Sequence, residues 1–434
     1  MKKRRLIFLT FLSIPFSIKA SELSLPTPEN YLGGFAYCSS QSALIGHEKG
    51  FYTQAPVNYT NLQSEKFDIY SWFQEPYDPN RPTVVYLTGG PGQTSHWGQS
   101  ALTGDYNLLL VDQRGIACSR PRTYEDYLSP DFYSAKNIAM DLEEIRKKLN
   151  IEKWTVYGVS FGTIPATIYG SMFPKHTRSV ILEGVAYDAQ GLWNNEQLKK
   201  ILKEEIEAQP LIVQEKLRNL SQTKIDPMWF FMWAKTELLM NEGRQTLKEN
   251  LLKLSDPLEY EDFLSMLETQ FVPQVDFEKN DLFQFNEIAY YMNACQELGL
   301  LNYKSELTFS ATGEIIPAPN TEALRSCAKL NLEPTELFSA SSYPLKVPTF
   351  YFQGENDSAT SIQGSYKHFK EVATGVKQFF FLKDGGHNPN LEILRDDNEG
   401  EKQMVANAIN GELTSREVID ALNSELSLVK WISK

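Results

Sequence analysis

Three side chains far apart in this sequence have the types that nucleophilic hydrolysis requires. Ser160 sits in Gly158-Val159-Ser160-Phe161-Gly162, directly behind the strand-like run WTVYGV (154–159). The G-x-S-x-G pattern places a serine on a strained turn between a strand and a helix, with its hydroxyl exposed above a sheet. Small residues also fill such turns for packing alone, so the pattern needs company. A serine nucleophile needs a base, an acid to orient that base, and donors for the oxyanion.

The chain has five histidines. His387, in LKDGGHNPN, follows the last strand-like run and two glycines that let a loop bend sharply. His47 precedes the core alternation, His176 follows the turn FPKHTR, and His368 sits in a helical pattern. His96 could line a site but comes before the nucleophile in the chain. The acid is expected between Ser160 and His387, and Asp357 in FQGENDSAT stands just past the run PTFYFQG. Glu355 and Glu183 are its competitors. The oxyanion donors are expected to be the backbone N–H of Phe161 and one from the loop TGGPG (88–92), with Gly90 chosen within it. Glycines there let amides approach a substrate oxygen closely. This chemistry needs no cofactor, and the cysteine spacings match no zinc motif.

Each of these residues must be carried by an element that ends beside the others. Strand-like runs rich in β-branched and aromatic residues recur: TVVYL (83–87), NLLLV (107–111), WTVYGV, SVILEG (179–184), PTFYFQG (348–354) and KQFFFL (377–382). Several are continuously apolar, as strands covered on both faces are. Helical patterns separate them. SAKNIAMDLEEIRKKLN (134–150) offers Ser134 as an N-cap and aligns Ile138, Leu142 and Ile145 on one face. The alternation predicts an α/β fold, a mostly parallel sheet with helices on both faces and functional residues at the carboxyl ends of its strands.

From about residue 190 to 340 the alternation gives way to helical periodicity. Leu198, Ile201, Leu202 and Ile206 form one stripe, Leu247, Leu251, Leu252 and Leu254 another, and DPMWFFMWAKTELLM (226–240) clusters large aromatics. An insertion between two strands at the catalytic end is placed to be a cap over the cleft. The expected organisation is a signal peptide at 1–20, core at 21–189, helical cap at 190–340 and the rest of the core at 341–434.

The leader reading rests on a basic MKKRR, an apolar run of about 13 residues and a cleavage point after Ala20. It implies export to a periplasm or outside the cell, with no stable membrane anchor after cleavage. Losing that segment removes five positive charges and moves the net charge from −13 to −18. So acidic a chain is poorly suited to nucleic acid or anionic lipid surfaces. Four cysteines in an exported chain suggest up to two disulfides, with three pairings possible. Cys295–Cys327 is favoured because both lie in the predicted helical region, and Cys38–Cys118 follows by elimination. Oligomeric state leaves no signal in the sequence.

The order Ser160, Asp357, His387 is that of α/β-hydrolases. GGPG, VDQRGIACS, YGVSFGT, FP, VILEGV, GENDS and GGHNP together resemble the proline iminopeptidase and tripeptidyl aminopeptidase family of that fold. The similarity spans about 80 to 185 and 345 to 390, and the elbow block is closer to the tripeptidyl branch. NEIAYYMNACQE and SCAKL resemble cysteine-containing cap segments of the same branch. Two departures stand out: Thr88 replaces the loop's usual leading histidine, and GIACS replaces a more glycine-rich turn. The resemblance implies removal of residues from a peptide's free N-terminus, with cap carboxylates receiving the α-ammonium group. Glu297, two residues after Cys295, is the leading candidate for that role and Glu183 the second. An esterase or lipase-like hydrolase on the same scaffold is the alternative, since fold and triad do not set the substrate. A catalytically silent binding protein is the third reading, and an intact triad argues against it.

Overall fold

The computed structural model describes residues 23–42, 50–61, 63–98, 104–193, 195–270, 285–302, 306–318, 321–333, 335–390, 398–425 and 430–434. The segment 1–20, expected to be a leader, and His47 lie outside the described residues. The strands in chain order are β1 (Gly50–Pro56), β2 (Lys66–Phe73), β3 (Thr83–Leu87), β4 (Asn107–Val111), β5 (Trp154–Val159), β6 (Thr177–Glu183), β7 (Glu306–Phe309), β8 (Ile315–Ala318), β9 (Thr349–Gly354), β10 (Lys377–Leu382) and β11 (Trp431–Ser433). Nine of them form one sheet in the order β1-β2-β4-β3-β5-β6-β9-β10-β11. The pairs from β4 through β10 are parallel, whereas β1–β2, β2–β4 and β10–β11 are antiparallel. Every position of β3, β4, β5 and β9 is buried, in keeping with their largely apolar runs.

Side-chain alternation along the strands assigns helices to opposite faces. Gly170 of helix Thr163–Met172 lies against Val180 of β6. The neighbouring Ser179 hydroxyl points the other way and donates to the Ile409 carbonyl at the end of helix Glu399–Asn410 (3.2 Å). Thr155 of β5 donates to the same carbonyl (2.6 Å). Helix Ala135–Lys148 begins at Ser134, whose hydroxyl accepts from Asn137 N–H (3.0 Å), and it buries Ile138, Leu142 and Ile145.

Between β6 and β9 lies an inserted, mainly helical region with its own apolar cluster, centred on Leu202, Phe230, Phe231, Leu247, Leu251 and Leu267. Helix Pro227–Leu238 starts with proline in its first turn behind Asp226, whose carboxylate accepts from Met228 N–H (2.9 Å). Two details differ from the sequence reading. Leu252 is 53% exposed and does not join its stripe. The insertion also contains the antiparallel hairpin β7–β8, whose Phe309 packs on Phe231 with ring centroids 5.0 Å apart.

Both disulfides join the favoured pairs. Cys38–Cys118 ties helix Gly34–Ser40 to the turn beyond β4, and Cys295–Cys327 links helices Glu287–Cys295 and Thr321–Lys329. They are compatible with an extracytoplasmic location. Among the described residues, no helix is long and apolar enough to cross a membrane.

Candidate active site

Ser160 directly follows β5 and holds φ at +54°, a left-handed conformation that is strained for a residue with a Cβ. The flanking glycines have steric reasons to be there. A Cβ on Gly158 would run into the Gly162 carbonyl, and one on Gly162 into the Leu87 carbonyl at the end of β3. The tight turn therefore packs backbone on backbone, and the serine is lifted out of the sheet at the helix start. Ser160 is only part-buried, and among the described residues its hydroxyl makes no hydrogen bond.

Asp357 and His387 come from the loops after β9 and β10, neighbours in the sheet. His387 Nδ1 lies 2.9 Å from Asp357 Oδ2, and the pair is buried. Burial alone would raise the Asp357 carboxyl. The attraction and hydrogen bond of His387, with donation from Thr360 N–H (2.9 Å) and Oγ1 (2.7 Å), outweigh burial and hold it below the usual carboxylate range. Gln353 Nε2 and Ala359 N–H also donate to it (both 2.8 Å). On its other side the imidazole touches Gly184, where a Cβ would come within 2.7 Å of the ring. Glu355, the competing acid, instead accepts from Asp384 N–H through Oε2 (3.2 Å).

The remaining described histidines have other places. His368 is buried between Thr167 Oγ1 (3.2 Å) and Tyr351 OH (2.9 Å), and burial pushes it down to about 3. His176 lies 3.0 Å from Glu143, and His96 packs on Trp72.

The TGGPG loop lies against the serine, since a Cβ on Gly89 would come within 2.8 Å of Ser160 Cβ. Gly89 N–H is occupied by Gln93 Oε1 (3.0 Å), whereas among the described residues Gly90 N–H has no acceptor. Gln113 Nε2 donates to Thr88 O (2.9 Å) and braces the loop from below. Arg114, the next residue, is buried in a two-pronged pair with Asp141 (2.6 and 2.7 Å) and also donates to the carbonyls of Val57 and Phe132. In the DQRG stretch, Gln113 and Arg114 thus support the scaffold.

The two carboxylates singled out in the sequence are engaged by the chain itself. Glu183 Oε2 accepts from Tyr157 OH (2.5 Å), and Oε1 accepts from Asn390 N–H (2.9 Å) in the His387 loop. Glu297 Oε1 accepts from Ala135 N–H (2.7 Å), satisfying a free donor at a helix start. Burial pushes the Glu297 carboxyl up to about 7, against the pull of that donor. A carboxyl raised from an ordinary 4.5 favours folding below pH 4.5, and that contribution disappears as pH rises through about 7. Glu297→Gln keeps the acceptor and removes the charge. Its unfolding free energy is expected to exceed the parent's at pH 8, by an upper bound on the order of 3 kcal/mol, read as a higher melting temperature, and to converge with it near pH 4.5. Equal melting at pH 8 would show that the charge costs nothing.

Sequence reasoning missed Glu287. Asn286 N–H donates to the Gly92 carbonyl of the TGGPG loop (2.8 Å), and its side chain caps helix Glu287–Cys295 at Ala289 N–H (2.9 Å). Glu287 opens that helix. Its carboxylate makes no hydrogen bond or ion pair among the described residues, and burial alone raises it to about 7. The available signal was a carboxylate next to the N-cap asparagine in NEIAYY, at the head of an otherwise apolar segment.

The parallel centre of the sheet, the strained serine behind β5 and the Asp–His pair behind β9 and β10 define an α/β hydrolase fold, and the sequence profile for that fold matches residues 82–210. The chain has distant relatives among proline iminopeptidases. The enzyme of Neisseria meningitidis serogroup A is 29% identical over 137 residues, 31% of this chain and 42% of that protein. A proline iminopeptidase of Aspergillus aculeatus is 33% identical over 129 residues, 25% of this chain and 29% of that one. The chain thus spans less than half the length of the curated relatives it matches. A proline iminopeptidase-related protein of Thermus thermophilus superposes with a TM-score of 0.42 at 15% identity, covering 84% of this chain and 99% of that one.

Proposed function

We propose that the chain is an exported serine aminopeptidase that hydrolyses peptide bonds near a free N-terminus. The observation that carries the reading is the buried Asp357–His387 pair on the same sheet edge as a left-handed Ser160. In this reading Ser160 Oγ attacks the substrate carbonyl carbon while His387 Nε2 takes its proton. Asp357 keeps Nδ1 protonated and stabilises the resulting imidazolium. The N–H groups of Gly90 and Phe161 receive the oxyanion. Collapse of the tetrahedral adduct breaks the C–N bond, and the departing amine leaves with the proton held by His387. Water then adds to the acyl-enzyme by the same route in reverse and frees the acid.

Glu287 is proposed as the anchor for the substrate's ammonium group. It is a part-buried carboxylate with no hydrogen bond or ion pair among the described residues, on the segment that docks against the TGGPG loop, whereas Glu183 and Glu297 are committed within the fold. Export is supported by the leader pattern and the two disulfides.

Peptide arylamides with free and with acetylated N-termini, compared beside simple acyl esters, test the reading. Free-amine peptides are expected to turn over at least 100-fold better than their acetylated forms, the scale of losing a buried charge pair. If acetylation changes nothing, amine capture is wrong. If only the esters react, the peptidase assignment falls with it.

A further inference from the structure

The inserted region touches the loop bearing His387 through a dense set of hydrogen bonds. Beyond helix Pro227–Leu238, the chain turns through Leu239–Glu242 and lies along 384–389. Leu239 O accepts from the backbone N–H of His387 itself (2.8 Å), and Glu242 N–H donates to Asp384 O (2.9 Å). Between them, Asn241 uses both ends of its amide. Its Oδ1 accepts from Gly386 N–H (2.9 Å), and its Nδ2 donates to Pro389 O (3.3 Å). One side chain of the insertion therefore brackets His387, gripping the residue before it and the second residue after it. There is no slack here, because a Cβ on Gly386 would collide with the Leu239 carbonyl.

The rest of this histidine loop is anchored from the core. Asn390 N–H is held by Glu183, its Nδ2 donates to Tyr157 OH (2.8 Å), and Asp384 N–H is held by Glu355. Residues 385 to 389 hold two glycines and a proline. Glycine gives the backbone many alternatives, so the direction of the His387 side chain depends on what fixes the loop from above. The acid loop is tied to the same helix, because Ser358 Oγ donates to Lys235 O (2.9 Å). The insertion thereby sets the relative placement of the loops carrying Asp357 and His387.

We infer that Asn241 is a positioning residue: it holds the His387 loop in register with Asp357, so that the cap governs the base as well as covering the cleft. This rests on the proposed Ser–His–Asp reading. A displacement of about 1 Å in a reacting group can cost on the order of 100-fold in rate.

The test uses the full mature chain and Asn241→Ala, with a fluorophosphonate as probe because it reacts with an activated serine whatever the natural substrate. The labelling rate and kcat of the alanine variant are expected to fall at least tenfold, with KM within about twofold of the parent. The low-field NMR signal of the imidazole proton shared by His387 and Asp357 should weaken or move. Asn241→Asp keeps the acceptor for Gly386 and loses the donor to Pro389, so it should fall between parent and alanine. It also carries the test if the alanine variant does not fold. Parental labelling rate and an unmoved proton in a folded variant would overturn the inference. Failure of the parent itself to label at Ser160 would instead reject the underlying reading.

Discussion

Replacing Ser160 with alanine is expected to lower turnover by roughly 10⁴-fold or more, the scale seen when a nucleophile is removed from such a unit. The effect should be this large because the hydroxyl forms the bond to the substrate carbonyl, and no neighbour in the turn can substitute. Phe161, Gly162 and Gly158 carry no nucleophile, and Thr163 Oγ1 is engaged with Ser160 O (2.6 Å). A small residual rate would reflect binding and the oxyanion donors alone. Steady-state turnover and fluorophosphonate labelling check this together. A Ser160→Ala protein that still takes up the probe, or retains a tenth of parental activity, removes Ser160 from the chemistry.

The second large effect concerns Glu287. Glu287→Gln is expected to reduce kcat/KM on free-amine peptides by about 100-fold and to leave acetylated peptides nearly unchanged. The pH dependence supplies an independent sign. Only the ionised carboxylate attracts an ammonium group, and burial holds this carboxyl at about 7 before substrate arrives. The preference for free over acetylated peptides should therefore shrink as pH falls from about 7 to about 5.5, a range in which the substrate amine, ordinarily about 8, stays protonated, and should be flat there in the glutamine variant. Taking that ratio cancels pH effects common to both substrates. A preference that stays constant with pH in the parent would exclude Glu287 as the anchor.

The central sheet was legible because its strands are apolar on both faces. TVVYL, NLLLV and KQFFFL coincide with β3, β4 and β10. The antiparallel edge was less so. β1 (GFYTQAP) exposes Gln54, and β2 (KFDIYSWF) mixes polar and apolar residues although most of it is buried, so their pairing depends on a partner strand, not on a local pattern. The β7–β8 hairpin has strands of four residues, too short for a period to emerge from helical surroundings.

The candidate site divides in the same way. Ser160, Asp357 and His387 each stand just beyond a recognisable strand, with glycine marking the turn. Glu297 was harder to read, because its partner Ala135 lies 162 residues earlier and nothing local distinguishes a helix-capping carboxylate from a ligand-binding one. Arg114 and Asp141 lie 27 residues apart on different elements, so their buried pairing emerges only once the fold places those elements together.

β6 and β9 are hydrogen-bonded neighbours, yet the whole inserted region is strung between them. Closing so long an excursion costs little equilibrium free energy, since the penalty grows only with the logarithm of loop length, but it postpones the docking of β9 during folding. The two apolar clusters are separate, so melting need not be a single all-or-none event. Catalysis should then vanish with whichever half loosens first, while much of the polypeptide still holds its native secondary structure.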